Sequence, residues 1–435
     1  MLHLSWKATL SALTASLLLA ACGGHSDGSV NLQADCSQEG QKKALYGIMQ
    51  DAYLWYTEVP DLDPTSYKNL DTLLEALTYK KYDKWSYLTT QGNYDNYFNN
   101  GKYIGFGFSL GLVGSRVYLK VVFEGSPAYK AGLRRGMEIL EINGKSIEEI
   151  RRGNLWGSIY GDREIGVKGT FKLKSGGESR NVTVKKEEVT SYSILYDKLW
   201  EVDGEKVGYF VFNKFIEPSK TELAAQFRKF KDAGVSKLIL DLRYNGGGRI
   251  HIAQYLASLI AGKTHHAKVV ASLKYNDRYT HWNEKYRLTQ EKNALELSTL
   301  YVITTGASCS ASELLINGLK PFVDVKVIGE HTCGKPVGMR GYSFCGTHLS
   351  PIQFEVFNAE EAGRYYGGLA PDCTVADDLT HPFGDHNEAM LQEALYVLKH
   401  DRCSRAASEK SVKKRASTSA KYMHTGGWQR EIGAQ

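Results

Sequence analysis

In the middle of the chain, Leu238-Ile239-Leu240-Asp241-Leu242 is apolar but for one carboxylate, and Gly246-Gly247-Gly248 follows closely. A run this short and this apolar reads as a strand buried on both faces, as in a parallel sheet covered by helices. The flanking sequence repeats the theme. Strand-like runs at 207–213, 269–274, 300–304 and 325–328 alternate with helical spacing at 221–233, 250–260 and 313–319. That alternation predicts a mixed or parallel sheet under helices between residues 207 and about 375.

The first third of the chain follows different rules. Leu45, Ile48, Met49, Tyr53 and Leu54, then Leu70, Leu73, Leu74 and Leu77, recur at three- and four-residue steps. Such steps predict amphipathic helices, with turns at Pro60, Asp61, Asp63 and Pro64. Residues 37–100 therefore read as a small helical N-terminal domain. From Ile104 onward the runs become short strands, at 117–123, 138–142, 170–173 and 180–185, punctuated by glycine. Between them lie Gly125-Ser126-Pro127-Ala128, Ala131-Gly132-Leu133, Gly136-Met137-Glu138-Ile139-Leu140 and Ile142-Asn143-Gly144. In this order the blocks resemble a PDZ domain of the bacterial protease type, over residues 101–190. There, Gly-Ser-Pro-Ala opens a helix, Ala-Gly-Leu ends it and Asn-Gly makes a tight turn. Gly105-Phe106-Gly107-Phe108 resembles the carboxylate-binding loop of that domain. Such a loop presents backbone N–H groups to a terminal carboxylate while the adjacent strand edge pairs with the peptide.

Both ends of the chain carry separate signals. Lys7 precedes an apolar stretch at 13–21, the pattern of a secretory signal over residues 1–21 and too short for a typical spanning helix. It is also the only apolar run near that length, which excludes a polytopic membrane protein. Leu19-Ala20-Ala21-Cys22, followed by Gly23-Gly24, resembles a bacterial lipobox. The resemblance makes Cys22 the lipidated first residue of the mature protein and residues 22–36 its tether. The absence of Asp after Cys22, by resemblance to Gram-negative lipoproteins, points to the outer membrane, facing the periplasm or the cell surface. Without Cys22 six cysteines remain, at 36, 309, 333, 345, 373 and 403. In an oxidising envelope six could form three disulfides, in any of fifteen pairings. A local staple Cys333–Cys345 and a bridge Cys36–Cys403 between the ends of the body are the two pairings expected. The net charge of +6 is concentrated at the C-terminus: residues 404–435 hold seven Lys/Arg against two Asp/Glu. A nearly neutral body with a solvated basic tail excludes a nucleic-acid binder, which needs a basic face on a folded domain.

The chemistry is concentrated in Thr305-Gly306-Ala307-Ser308-Cys309-Ser310-Ala311-Ser312-Glu313 and in Gly329-Glu330-His331-Thr332-Cys333-Gly334-Lys335. Ser310 falls where a strand runs into a helix N-terminus, whose outward N–H groups stabilise negative charge. That suits a nucleophile whose substrate develops an oxyanion. Lys335 follows a second strand and a glycine, and can converge on the same mouth. A lysine is a base only when deprotonated, and burial favours that form.

Ser310 and Lys335, with this flanking sequence, resemble the C-terminal processing peptidases, or tail-specific proteases. The resemblance extends over most of the chain. It takes in Asp83-Lys84-Trp85-Ser86-Tyr87, the PDZ-like block, Asp241-Leu242-Arg243-Tyr244-Asn245-Gly246-Gly247-Gly248 and Gly368-Leu369-Ala370-Pro371-Asp372. It implies a multidomain α+β protein in which a PDZ domain precedes a ClpP/crotonase-like α/β core, at 191–403. The implied activity is that of a serine endopeptidase with a Ser–Lys dyad and neither metal nor cofactor. Its implied partners are protein substrates with accessible, apolar C-termini. Ser310 would be the nucleophile, Lys335 the general base, and the N–H groups of Ala311 and Gly247 the oxyanion donors. One position departs from the pattern: many members carry Gln four residues after the lysine, and here stands Met339. Three rival features carry less. Cys309 with His331 would make a thiol protease, His265-His266 lacks metal-ligand spacing, and the Ser-x-x-Lys at Ser411 lies in the basic tail. The alternative of another class is a non-catalytic PDZ lipoprotein that binds peptides or apolar ligands.

Overall fold

The computed structural model describes residues 30–405. Cys22, the signal segment and Ser411 lie outside the described residues. The expected α/β core is a six-stranded sheet. Its strands run, in spatial and chain order, Ile194–Val202, Glu205–Phe212, Lys237–Asp241, Thr299–Thr304, Asp324–Gly329 and Cys373–Thr374. The first pair is antiparallel and every later pair is parallel. The sheet is therefore mixed, as the alternation predicts. Strand Ile194–Val202 has no counterpart in the sequence reading, and its place explains why. It is an edge strand, where Asp197, Lys198 and Glu201 are tolerated and no apolar run is required.

Period-two alternation feeds two cores. Phe210 and Phe212 pack with Leu223, Phe227 and Phe230 of helix Ser219–Asp232 and with Leu256 and Ile260 of helix Ile250–Ala261. Val207, Tyr209 and Val211 turn the other way, onto Met390, Leu391 and Val397 of helix Ala389–His400. At about 1.5–3 kcal/mol for each fully buried aliphatic or aromatic side chain, these two layers dominate the stability of the core.

The N-terminal helices form at Gln38–Asp51 and Leu70–Leu77, the second closed by an Asn69–Thr72 capping box. They do not bury a core of their own. Leu45, Met49, Leu73 and Leu77 pack with Tyr342, Phe344, Leu349 and Ile352 from far down the chain. Strand Tyr87–Thr90 pairs with Thr347–Ser350 in the same way. Residues 108–185 build a separate antiparallel sheet of Phe108–Val113, Arg116–Val122, Glu138–Ile142, Lys168–Ser175 and Glu178–Lys185. The expected Asn-Gly turn is present, with Asn143 and Gly144 both at positive φ (50° and 76°). Phe106 and Phe108 are fully buried in the core of this unit, and Gly105 and Gly107 of the same loop are buried with them.

Six cysteines do form three disulfides, but neither expected pairing is among them. The bridges are Cys36–Cys345, Cys309–Cys333 and Cys373–Cys403. Sequence proximity misled for Cys333: its nearest partner in space is Cys309, on the segment that carries Ser310. Cys36 meets Cys345 because the strand Val30–Asn31 pairs with Tyr342–Phe344.

Candidate active site

Ser310 sits between the end of strand Thr299–Thr304 and helix Ala311–Leu319, at φ 55° and ψ −112°. A non-glycine residue in so sparsely populated a region costs of order 1–3 kcal/mol and is held by its surroundings. Two sets of contacts hold it. Cys309 N–H and Ser312 Oγ both donate to the carbonyl of Asn245, and Ser308 Oγ donates to that of Leu242. The serine segment is thus laced to the turn after strand Lys237–Asp241. On the other side the buried carboxylate of Glu313 accepts from Ser310 N–H (3.0 Å), Gly334 N–H (2.8 Å), Lys335 N–H (2.8 Å) and the Thr332 hydroxyl. Burial pushes the Glu313 carboxyl above its ordinary value, against the pull of these donors. One carboxylate thereby joins the serine and lysine segments, and the Cys309–Cys333 bridge joins them a second time.

Lys335 is buried, and its Nζ lies 3.8 Å from Met339 Sδ and 5.9 Å from the centre of the Trp85 ring. The residue at the departure from the family pattern therefore does touch the lysine, offering a weak sulfur acceptor. Trp85 is placed by the first motif. Asp83 accepts from the N–H groups of Trp85 and Ser86 and from the hydroxyl of Tyr53. The Gly368-to-Asp372 motif pins the lysine loop from behind: Leu369 N–H donates to Thr332 Oγ, and Asp372 pairs with Val327 in both directions.

Ser310, Ala311 and Lys335 line one cleft of about 970 Å³, together with Gly248, Tyr87 and Tyr286. Gly247 lies behind it. A Cβ at Gly247 would stand 2.8 Å from Ser310 Cβ and 2.9 Å from Ala311 N, so only glycine fits against Ser310. Its N–H, however, donates to Asn245 Oδ1 at 2.9 Å, and the glycine that faces the cleft is its neighbour Gly248. Cys309 is oxidised and holds no thiolate, and His331 is exposed. The sequence reading missed Glu313, although Ser-x-x-Glu at a helix start is a capping-box signature.

The profile described as Peptidase family S41 matches residues 206–375, and that of the Peptidase S41 N-terminal domain matches 40–87. The chain belongs to peptidase family S41. Probable CtpA-like serine proteases of Staphylococcus saprophyticus and Staphylococcus aureus are similar to it, at 25% identity over 328 residues and 27% over 348. The matches cover 75% and 79% of this chain but 63% and 66% of those relatives. Among solved structures, a putative S41 protease from Bacteroides fragilis superposes with a TM-score of 0.68 at 25% identity. That match covers 82% of this chain and 96% of the other. The photosystem II D1 C-terminal processing protease shares the fold, with a TM-score of 0.53 at 18% identity over 85% of this chain and 98% of its own.

Proposed function

We propose that this S41 member is a serine endopeptidase in which Ser310 attacks the scissile carbonyl and Lys335 takes its proton. The observation that carries the reading is that both residues line one cleft, with their segments fastened to Glu313 and to each other. Lys335 Nζ accepts the proton of Ser310 Oγ as the Oγ–carbon bond forms. The tetrahedral oxyanion meets the N–H of Ala311 at the helix start. The second donor comes from the Gly247–Gly248 turn: Gly248 from its place on the cleft, or Gly247 once Asn245 releases it. Lys335 then gives the proton to the departing amine, and water, deprotonated by the same lysine, releases the acyl group. The 101–190 unit acts as the PDZ domain. With Phe106 and Phe108 committed to its core, the loop binds a substrate's terminal carboxylate through backbone N–H groups, and strand Phe108–Val113 pairs with an apolar C-terminus. Lipidation at Cys22 anchors the protein in the bacterial envelope, a reading supported by the pairing of the six other cysteines into disulfides.

The test is proteolysis of an unfolded protein with an apolar C-terminus, by the chain and by its Ser310→Ala variant. Cleavage lost in the variant is the expected result, and cleavage by both would sink the assignment. Amidating the substrate's C-terminus should slow cleavage if the PDZ reading holds. Metabolic labelling with radioactive palmitate should mark the chain and fail for Cys22→Ala.

A further inference from the structure

The Cys309–Cys333 bridge stands beside a carboxylate as well as beside the nucleophile. The two sulfurs and a carboxylate oxygen of Glu313 lie within 4.8 Å of one another, and Cys333 Sγ is 3.4 Å from Glu313 Oε2. Ligands sharing one tetrahedral zinc ion, with Zn–S near 2.3 Å and Zn–O near 2.0 Å, are separated by about 3.5 Å. The sulfur–carboxylate spacing is thus already that of co-ligands. Both cysteines are half-exposed, so a reductant can reach the bridge and an ion can follow. We propose that Cys309, Cys333 and Glu313 form a redox-gated site for a thiophilic divalent cation such as Zn²⁺, and that its occupation silences Ser310.

The chemistry balances as follows. A small dithiol gives two electrons and two protons to the bridge; the cysteine S–S bond breaks and the dithiol closes to its own disulfide. Zn²⁺ then binds both sulfurs, displacing their two protons to solvent, and takes one oxygen of Glu313, leaving its fourth position to water. Silencing follows from what Glu313 already does. Oε2, the oxygen nearest Cys333, accepts the N–H groups of Ser310 and Lys335. Drawing it onto an ion removes the shared anchor of nucleophile and base while leaving the rest of the cleft in place. The expected signature is therefore a fall in kcat with little change in KM. A second group, Cys373, Glu393 and Cys403, has the same composition, but it gathers between strand Cys373–Thr374, helix Ala389–His400 and the segment after it, and touches none of the Ser310 contacts. It serves as an internal control.

The binding half of the proposal stands apart from the proposed protease activity, and the silencing half rests on it. The full chain, reduced with a phosphine that does not ligate zinc, is titrated with Zn²⁺ against a chromophoric chelator, and turnover is followed in the same samples. The reduced chain should bind one more ion than its Cys309→Ser/Cys333→Ser variant and lose at least about tenfold in kcat. Chelation alone should return the rate to that of the metal-free reduced chain, and reoxidation should then restore the bridge. The Cys373→Ser/Cys403→Ser variant should lose the other ion and keep the silencing. Equal stoichiometry in the chain and the 309/333 variant would overturn the site, and an ion bound there with undiminished kcat would overturn the silencing. The protease reading fails separately, on the oxidised protein.

Discussion

Two places among the described residues bring a serine and a lysine into one neighbourhood, and their surroundings differ. Ser310 and Lys335 line the open cleft, beside a helix start and a glycine turn. Lys214 Nζ donates to Ser191 Oγ in the packed junction between the catalytic sheet and the 101–190 unit, where neither side chain lines the cleft. Lys214 lies 5.0 Å from the centre of the Tyr97 ring and 4.9 Å from that of Phe123, and burial pushes its ammonium from 10.5 down to about 7. The buried pair thus has a lysine with the pKa of a general base and no substrate to use it on. Proton affinity alone does not make a peptidase. In the proposed mechanism Ser310 and Lys335 add access to a cleft, a serine held at φ 55° and the N-terminus of helix Ala311–Leu319 beside it.

The sharpest way to break this comparison is to remove the hydroxyls. Ser310→Ala should cost at least about 10³-fold in kcat, and Ser191→Ala less than about threefold. Comparable losses would mean that the wrong pair has been assigned. Lys335→Ala should fall to the same floor, and the double variant no lower, because groups that act as a unit are not additive. Met339→Gln should leave activity measurable, since position 339 touches the lysine without taking its proton. Next in size is Glu313→Gln, which keeps one acceptor oxygen and strands donors on the other. With about 1–3 kcal/mol for a stranded buried donor, kcat should drop roughly tenfold to a hundredfold while Ser310 still labels with a fluorophosphonate.

The smallest effect belongs to Lys214→Met. Between pH 7 and 10.5 the unfolded chain holds a proton that the folded chain has released at Lys214, so stability rises with pH through that window. Below pH 7 both forms are protonated and the slope from this group vanishes. The variant should flatten the slope by about 1 kcal/mol per pH unit between pH 8 and 10, read from urea midpoints, and change kcat by less than about threefold. An unchanged slope would place the lysine's proton elsewhere.

Much of the site was legible because its motifs are local. Ser310 at a strand-to-helix junction, the glycine turn at 246–248 and the strands around them rest on spacing and on apolar runs. The partners of those motifs were not legible. Asp83, read only as part of a block, holds Trp85 over Lys335. Arg243, buried in the same strand-end motif, is ion-paired to Asp241, Asp377 and Glu388, two of them more than 130 residues away. The four strands between Val337 and Phe357 went unread, because their short pieces are separated by single turns and carry no sustained period.

By itself the sequence determined the alternating core, the helix that begins after Ser310 and the two residue types of the proposed dyad. Each of these is set by neighbours within a few positions, through dihedral preference and the burial period. Only the tertiary structure decided which cysteines pair, that the N-terminal helices borrow their core from residues 342–352, and that Glu313 binds both halves of the site. Those contacts close long loops. Their entropic cost is met by burial and buried hydrogen bonds summed over the whole molecule, which no local pattern records.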